Sequence, residues 1–222
     1  MSLADRLRYN FQVVKINQVI RGILILVSML MLLVLMVSSD WTPLVRLISI
    51  SQSAVDSGDL LTASIYFSQA AQFSPEKYEL LEEAGTLASE AGNINAAKAY
   101  LVQVYDAQFL SPSGMNILGD IAYQQGDVDE SIKLWEAANA VEADAGIYTK
   151  LIQAYRQSGD WENTLQAQRE LVTLHPSNPD YNHQLGLTLA ATQPQTALAY
   201  LSLAGELDES IKTKSKSLVR TL

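Results

Sequence analysis

The stretch ILGDIAYQQGDVDESIKLW, residues 117–135, holds two apolar helical patterns separated by a glycine turn. Gly126 can adopt the left-handed conformation that ends a helix, and Asp127 can cap the helix that follows. The same pair recurs along the chain at glycine spacings of 34, 34 and 33 residues, as Gly58-Asp59, Gly92-Asn93, Gly126-Asp127 and Gly159-Asp160. A repeated helix–turn–helix unit is therefore predicted to organise most of this chain.

Side chains on both sides of each turn repeat in the same register. Five residues after each glycine stands a small residue, namely Ala63, Ala97, Ser131 and Thr164. Four residues further on stand Phe67, Leu101, Trp135 and Gln168. The first three of these are large and apolar, whereas the fourth repeat departs from the pattern at Thr164 and Gln168. Upstream, Leu118-Gly119 is in register with Ile50-Ser51, Ala84-Gly85 and Leu151-Ile152. Small residues let two crossing helices approach closely, so we expect Gly119 and Trp135 to be packing residues.

Three further local features lie at helix starts. Ser74-Pro75 and Ser111-Pro112 each have the order of an N-cap followed by proline in the first helical turn. Trp161 follows Gly159-Asp160 and is expected to pack where the next helix begins.

This register resembles that of the tetratricopeptide repeat family. The family pattern has Leu-Gly early in the first helix, a Gly-Asp type of turn, and then alanine, an aromatic residue, alanine and proline along the second helix. Five units follow it approximately, at 44–76, 77–110, 111–143, 144–176 and 177–207, with Pro194 replacing the glycine pair in the fifth. The expected fold class is all-α, with an α-solenoid of about five hairpins in 40–207 and a capping helix in 208–222.

An uncharged segment precedes the repeats. Residues 22–39, GILILVSMLMLLVLMVSS, are 18 residues long, which in a helix spans roughly 27 Å, close to a hydrocarbon core of about 30 Å. We predict a single transmembrane helix here. The alternative is a cleaved signal peptide, for which Val37-Ser38-Ser39 offers small residues.

Charge predicts the orientation of this segment and argues against one class of partner. The leader 1–21 holds four basic residues and one acidic residue, and it has an amphipathic pattern, whereas residues 40–205 hold 20 acidic and 7 basic residues, a net charge of −13. We therefore expect a cytoplasmic N-terminus and an extracytoplasmic repeat domain. Nucleic acid is not an expected partner, because the acidic domain would repel a phosphate backbone.

The residue types needed for catalysis are not arranged for it. The chain has no cysteine, and its two histidines, His175 and His183, do not share a helical face. The acids of residues 127–130 suit a helix N-terminus better than a calcium loop. No phosphate-binding or nucleophile motif occurs, so we expect no enzyme, no cofactor, no metal and no small-molecule substrate.

The family resemblance implies that the first helix of each hairpin lines a concave groove. We call the residues at those positions the candidate groove: Gln52, Asp56, Glu82, Thr86, Ser89, Glu90, Asn116, Asp120, Tyr123, Gln124, Thr149, Gln153 and Arg156. This lining is polar and acidic, so an extended polar or basic segment of another protein is the expected ligand. The clamp lysines of chaperone-binding relatives are missing, and Glu82 stands where one would be needed.

These features predict a membrane-tethered scaffold that recruits or helps assemble proteins of membrane or envelope complexes. Two alternatives stay open. One is a structural accessory subunit of a membrane complex, whose transmembrane helix packs laterally against other subunits. The other is an exported soluble repeat protein that remains after signal cleavage.

Overall fold

The computed structural model describes residues 21–32 and 43–220, and every regular element in these two ranges is an α-helix. A helical segment covers 21–32, and α1 covers 43–56. The following helices are α2 Leu60–Phe73, α3 Tyr78–Glu90, α4 Ile94–Asp106, α5 Pro112–Gln124, α6 Val128–Val141, α7 Ala145–Ser158, α8 Trp161–Leu174, α9 Pro179–Leu189, α10 Pro194–Leu207 and α11 Glu209–Val219.

The predicted glycine turns are confirmed in each of the first four repeats. The glycines have φ angles of +81°, +77°, +85° and +78°, in chain order, which is the left-handed region that a side chain disfavours. The residue after each glycine caps the next helix, because its side chain accepts a hydrogen bond from a first-turn backbone N–H; these caps are Asp59, Asn93, Asp127 and Asp160. The sequence pattern therefore sets where these hairpins turn.

One of the two Ser-Pro predictions is confirmed and the other is wrong. Ser111 caps α5 by accepting from the Gly114 N–H at 3.1 Å, with Pro112 as the first helical residue. Ser74 instead ends α2, and α3 begins only at Tyr78. The Lys77 N–H donates to the Ser74 carbonyl at 2.9 Å, which closes a turn with Pro75 at its second position, where proline is favoured.

The chain divides into two compact units, one ending at Leu80 and one starting at Leu81. In the first unit, α1 and α2 bury a small core that includes Leu44, Ala54 and Phe67. In the second unit, α5 with α6, α7 with α8, and α9 with α10 form hairpins, and the second helix of one hairpin also contacts the first helix of the next. A core shared between neighbours in this way is the hallmark of a helical repeat protein.

Small residues face large ones inside these hairpins, as predicted. A Cβ added to Gly119 would lie 2.5 Å from Trp135, and one added to Gly85 would lie 2.6 Å from Leu101. Trp135 and Leu101 are 2% and 0% exposed, respectively. Glycine thus lets the two helices approach closely enough to bury the larger side chain.

The fourth repeat, formed by α7 and α8, departs from this arrangement. Gln168 occupies the position of Trp135 and is buried, yet neither its amide oxygen nor its amide nitrogen has a hydrogen-bond partner in the part of the chain that the structure describes. The prediction that Trp161 packs is wrong, because its side chain is 64% exposed. Trp161 is the first residue of α8, one turn before the first buried position, Thr164, so it lies at the edge of the hairpin.

The two ends of the chain are described in part. The helical segment 21–32 exposes all its large apolar side chains, from Ile23 to Leu32. Residues 1–20 and 33–42 lie outside the described ranges, so the predicted leader and the second part of the predicted span are not seen. Within 21–32 and 43–220, no helix combines the length and the apolar character needed to cross a membrane. At the other end, α11 packs on α10 and buries Ile211.

Candidate protein-binding groove

Lys150 on α7 joins two candidate-groove residues of α5. Its ammonium group donates to Asn116 Oδ1 at 2.7 Å and forms an ion pair with Asp120 Oδ1 at 2.6 Å. The same Nζ lies 5.8 Å from the centre of the Trp135 ring, within the range of a cation–π contact. The negative charge of Asp120 is therefore compensated within the protein, and α5 and α7 are connected across the groove.

Tyr123 adds a second connection between the same two helices. Its hydroxyl donates to Gln157 Oε1 at 2.8 Å, and its ring centre lies 5.5 Å from that of Trp135. The Trp135 indole N–H in turn donates to the Asn116 carbonyl at 3.3 Å. The middle of the candidate groove is thus a hydrogen-bonded network with a buried aromatic floor.

Glu82 on α3 has a structural role that the sequence did not indicate. Its carboxylate accepts hydrogen bonds from the Ser111 hydroxyl and, at 3.4 Å, from the Ser111 backbone N–H. A carboxylate is favourable at this place because it faces the positive end of the α5 dipole. Of its neighbours on α3, Thr86 and Ser89 are half-buried, whereas Glu90 is exposed.

A depression of about 290 Å³ lies between α7 and α9, and we call it the Arg156 depression. Its lining residues are Thr149, Ile152, Gln153, Arg156, Leu171, Tyr181 and Gln184. Ile152 and Leu171 are buried and provide an apolar floor, whereas Gln153, Arg156 and Gln184 are exposed. Three predicted residues therefore come together here with two residues of α9.

The network and the depression follow one register. Lys150 directly precedes Leu151 and faces α5, and Gln184 directly precedes Leu185 and lines the depression with residues of α7. In α7 and α9, the residue before the leucine of this register thus lies towards the preceding first helix. Sequence reasoning missed Lys150, Tyr181 and Gln184, although the spacing of 34 residues between Asn116 and Lys150 offered a signal for the first.

The remaining candidates are placed individually. Gln52 and Asp56 are exposed on α1, in the first unit. Gln124 is exposed at the end of α5. The structure therefore groups Asn116, Asp120 and Tyr123 around Lys150, and it groups Thr149, Gln153 and Arg156 in the depression.

Tyr155 on α7 has a packing role. Burial raises the pKa of Tyr155 well above its usual range, and hydrogen bonding to Glu136 raises it further. Because Tyr155 on α7 stays protonated, it can donate to this carboxylate on α6. Among the described residues, no group of three or more histidine, aspartate or glutamate side chains is arranged to hold a metal ion.

Comparisons with known proteins agree with this architecture. The tetratricopeptide repeat model matches residues 82–146. A crystal structure of MamA is similar with a TM-score of 0.63 at 21% identity, covering 78% of this chain and 94% of MamA. MamA from Desulfovibrio magneticus RS-1 gives a TM-score of 0.60 at 22% identity over 76% of this chain and 96% of its own.

A third similar structure is YrrB, described as a tetratricopeptide repeat protein with an unusual peptide-binding site. Its TM-score is 0.60 at 15% identity, covering 77% of this chain and 90% of YrrB. No curated protein matches the chain in sequence. The chain therefore has the fold of tetratricopeptide repeat proteins, and its residues 82–146 match that family in sequence as well.

Proposed function

We propose that this protein is a membrane-tethered scaffold that binds extended segments of other proteins along the candidate-groove residues of its second compact unit, which begins at Leu81. The observation that carries the proposal is a set of exposed polar side chains without hydrogen-bond partners among the described residues: Gln124, Gln153, Arg156 and Gln184. Such groups lose nothing within the protein when they bind a ligand, since they have no internal bond to give up.

The small volume of the depression, about 290 Å³, and its polar rim favour an extended ligand over a folded one. Its floor is apolar, while its rim offers amide and guanidinium groups at which a polypeptide backbone can form hydrogen bonds. At α3, exposed Glu90 would favour a basic side chain of the same ligand. The peptide-binding site ascribed to YrrB is a precedent for this use of the fold.

We place the tether at residues 22–39. The described part of this segment is a helix whose apolar side chains, Ile23 to Leu32, are 55–69% exposed on all sides. A helix that is apolar all round is favourable only where its surroundings are also apolar. The basic leader would keep the N-terminus in the cytoplasm, which puts the repeat domain on the outer side. Tethering would raise the effective concentration of the groove near membrane-embedded partners.

Orientation can be tested by cysteine labelling, because the natural chain has no cysteine. We expect Gln153→Cys to react with a membrane-impermeant maleimide in intact cells or spheroplasts, and Ser2→Cys to react only after lysis. The opposite pattern would refute the orientation. Recovery of both variants in the soluble fraction, with a mature N-terminus near Asp40, would instead support the exported soluble protein.

Groove binding can be tested by photo-crosslinking in the full chain. We expect a photoreactive residue at Gln153 to capture defined protein partners in the native membrane. The matched control is Arg169, an exposed residue on α8 that does not line the depression. Equal capture of the same partners from both positions would contradict binding in the groove.

A second candidate function is a structural accessory subunit of a membrane complex. The continuous apolar exposure of the 21–32 segment favours it, because such a helix can pack laterally against other spans as well as against lipid. Purification in mild detergent separates the two. A particle of fixed stoichiometry that persists after groove residues are changed would favour the subunit over the scaffold.

A further inference from the structure

The charges on the first helices differ in sign between α3 and α7, while α9 carries one acid, Asp180, which does not line the Arg156 depression. Glu90, an exposed acid, lies on α3, whereas the charged residues of α7 are Lys150 and Arg156, both basic. Lys150 is already paired with Asp120 at 2.6 Å. Arg156 has neither an ion pair nor a side-chain hydrogen bond within the described part of the chain. A free cation thus faces the candidate groove in a domain of strongly acidic composition.

The surroundings of Arg156 are suited to an anion. Among the residues that the structure describes, the lining of the Arg156 depression contains this one cation and no acidic residue. The amide groups of Gln153 and Gln184 and the hydroxyl of Tyr181 can donate hydrogen bonds towards the same space, and they have no side-chain acceptor among the described residues. Beneath them, Ile152 and Leu171 are 4% and 3% exposed, so the floor has a low dielectric that strengthens polar contacts.

We propose that the Arg156 depression binds the carboxylate of an aspartate or glutamate side chain in the bound segment. This inference rests on the proposed function and names the chemistry of one subsite within it. A planar guanidinium forms two parallel hydrogen bonds with a carboxylate, which combines charge with direction. The Gln153 and Gln184 amides are placed to donate to the remaining lone pairs.

The ligand that suits this subsite differs from the ligand that the acidic composition predicts. The acidic composition predicted a polar or basic segment along the whole groove, but Asp120 and Glu82 are both occupied within the protein. Their charges are therefore less available to a ligand than the charge of Arg156. A segment with an acid at α7 and a base towards Glu90 on α3 would fit in one direction only. The opposite charges of Arg156 and Glu90 would therefore also set the chain direction of the bound segment.

Peptide selection tests this on the full chain in mild detergent. The probe is a random ten-residue peptide library with both termini blocked, so that a selected carboxylate must belong to a side chain. We expect aspartate and glutamate to be enriched about threefold or more in the bound fraction, since hydrogen bonds to charged groups are the stronger class. Arg156→Ala should abolish this enrichment, and Arg156→Glu should replace it with lysine and arginine.

The matched control is Arg169→Glu, which makes the same charge change on an exposed residue of α8 outside the depression. It should leave the enrichment unchanged. Loss of the enrichment in Arg169→Glu as well would reveal a general charge effect and overturn the inference. A parallel library with free C-termini distinguishes the source of the group, because selection of acids only at the last residue would assign the site to a chain terminus and overturn the side-chain proposal.

Failure of the inference differs visibly from failure of the proposed function. Peptides selected without acidic enrichment, and lost when Gln153→Trp fills the depression, would overturn the carboxylate site and leave the scaffold standing. Selection that is the same in Gln153→Trp and in the natural chain would overturn both. For one selected peptide, replacing its glutamate by glutamine should lower affinity roughly two- to fivefold in the natural chain, the range for an ion pair with an exposed cation, and have no effect in Arg156→Ala.

Discussion

Gly119→Ala is the substitution that most directly tests how the hairpins are packed. The new methyl group would lie 2.5 Å from both Cδ1 and Nε1 of Trp135, whereas carbon atoms in contact prefer about 3.5–4.0 Å. The indole is 2% exposed, and it donates to the Asn116 carbonyl at 3.3 Å. It must therefore move by roughly 1 Å, away from this acceptor, to reach the preferred separation.

The expected loss of stability is the sum of three effects. Overpacking of a filled core costs about 1–3 kcal/mol, and weakening the indole hydrogen bond costs about 1 kcal/mol. Alanine returns about 1 kcal/mol, because it is the better helix former. We therefore expect Gly119→Ala to lower the free energy of unfolding by about 1–3 kcal/mol.

Urea unfolding of the full chain in mild detergent, followed by far-UV circular dichroism, measures this loss. Gly22→Ala is the control, because a Cβ there meets no atom within 4 Å. In a Trp135→Leu background the same alanine should cost less, which gives a favourable coupling energy in a double-mutant cycle. A loss below about 0.5 kcal/mol, the level of ordinary surface changes, would refute the close approach of these helices.

Three other substitutions test other contacts. Asp127→Ala should destabilise the repeat domain by about 1 kcal/mol in urea unfolding, because it removes the N-cap of α6. Lys150→Met should cost no more than about 1 kcal/mol at low salt, and less at high salt, because the ion pair with Asp120 is partly exposed. Tyr155→Phe should cost about 1 kcal/mol at neutral pH through loss of the Glu136 hydrogen bond. The pKa of Tyr155 is raised in the folded protein, so its contribution to folding stability is complete below pH 10. Above pH 10 this contribution declines, because the unfolded state loses the proton first. The free energy of unfolding measured from pH 8 to 11 should therefore fall less steeply in Tyr155→Phe.

The repeat architecture is largely readable from local sequence. A left-handed glycine and a capping aspartate act within a few residues, so each pair reports its own turn without knowledge of the rest of the fold. Gly126-Asp127 shows this directly, with a φ of +85° and a cap hydrogen bond to the Glu130 N–H at 3.2 Å. The helix start predicted at Ser74-Pro75 is wrong because the same two residues suit a tight turn as well as a helix start.

Trp161 marks where the repeat register stops predicting packing. An aromatic residue beside a helix start was expected to be covered, yet its side chain is 64% exposed. Burial of such a residue depends on whether a neighbouring helix extends far enough to reach it, and that length is not encoded at the position itself. The same limit applies to Gln168. The sequence shows that a glutamine stands at a position where the other repeats have an apolar residue, but not that its amide lacks a partner among the described residues.

The amino-acid sequence predicts a helical repeat protein, the positions of its turns, and which small and large residues meet. These features depend on contacts within one hairpin, so their period is visible along the chain. Which polar residues of the first helices remain available to a ligand depends instead on contacts between helices of different hairpins. Lys150 forms an ion pair with Asp120, and Ser111 forms a hydrogen bond to Glu82. Arg156, which lines the depression with Gln184, has no such partner within residues 21–32 and 43–220. These contacts join residues about one repeat apart. The distance between two such side chains depends on how neighbouring helices pack, and therefore on the tertiary structure.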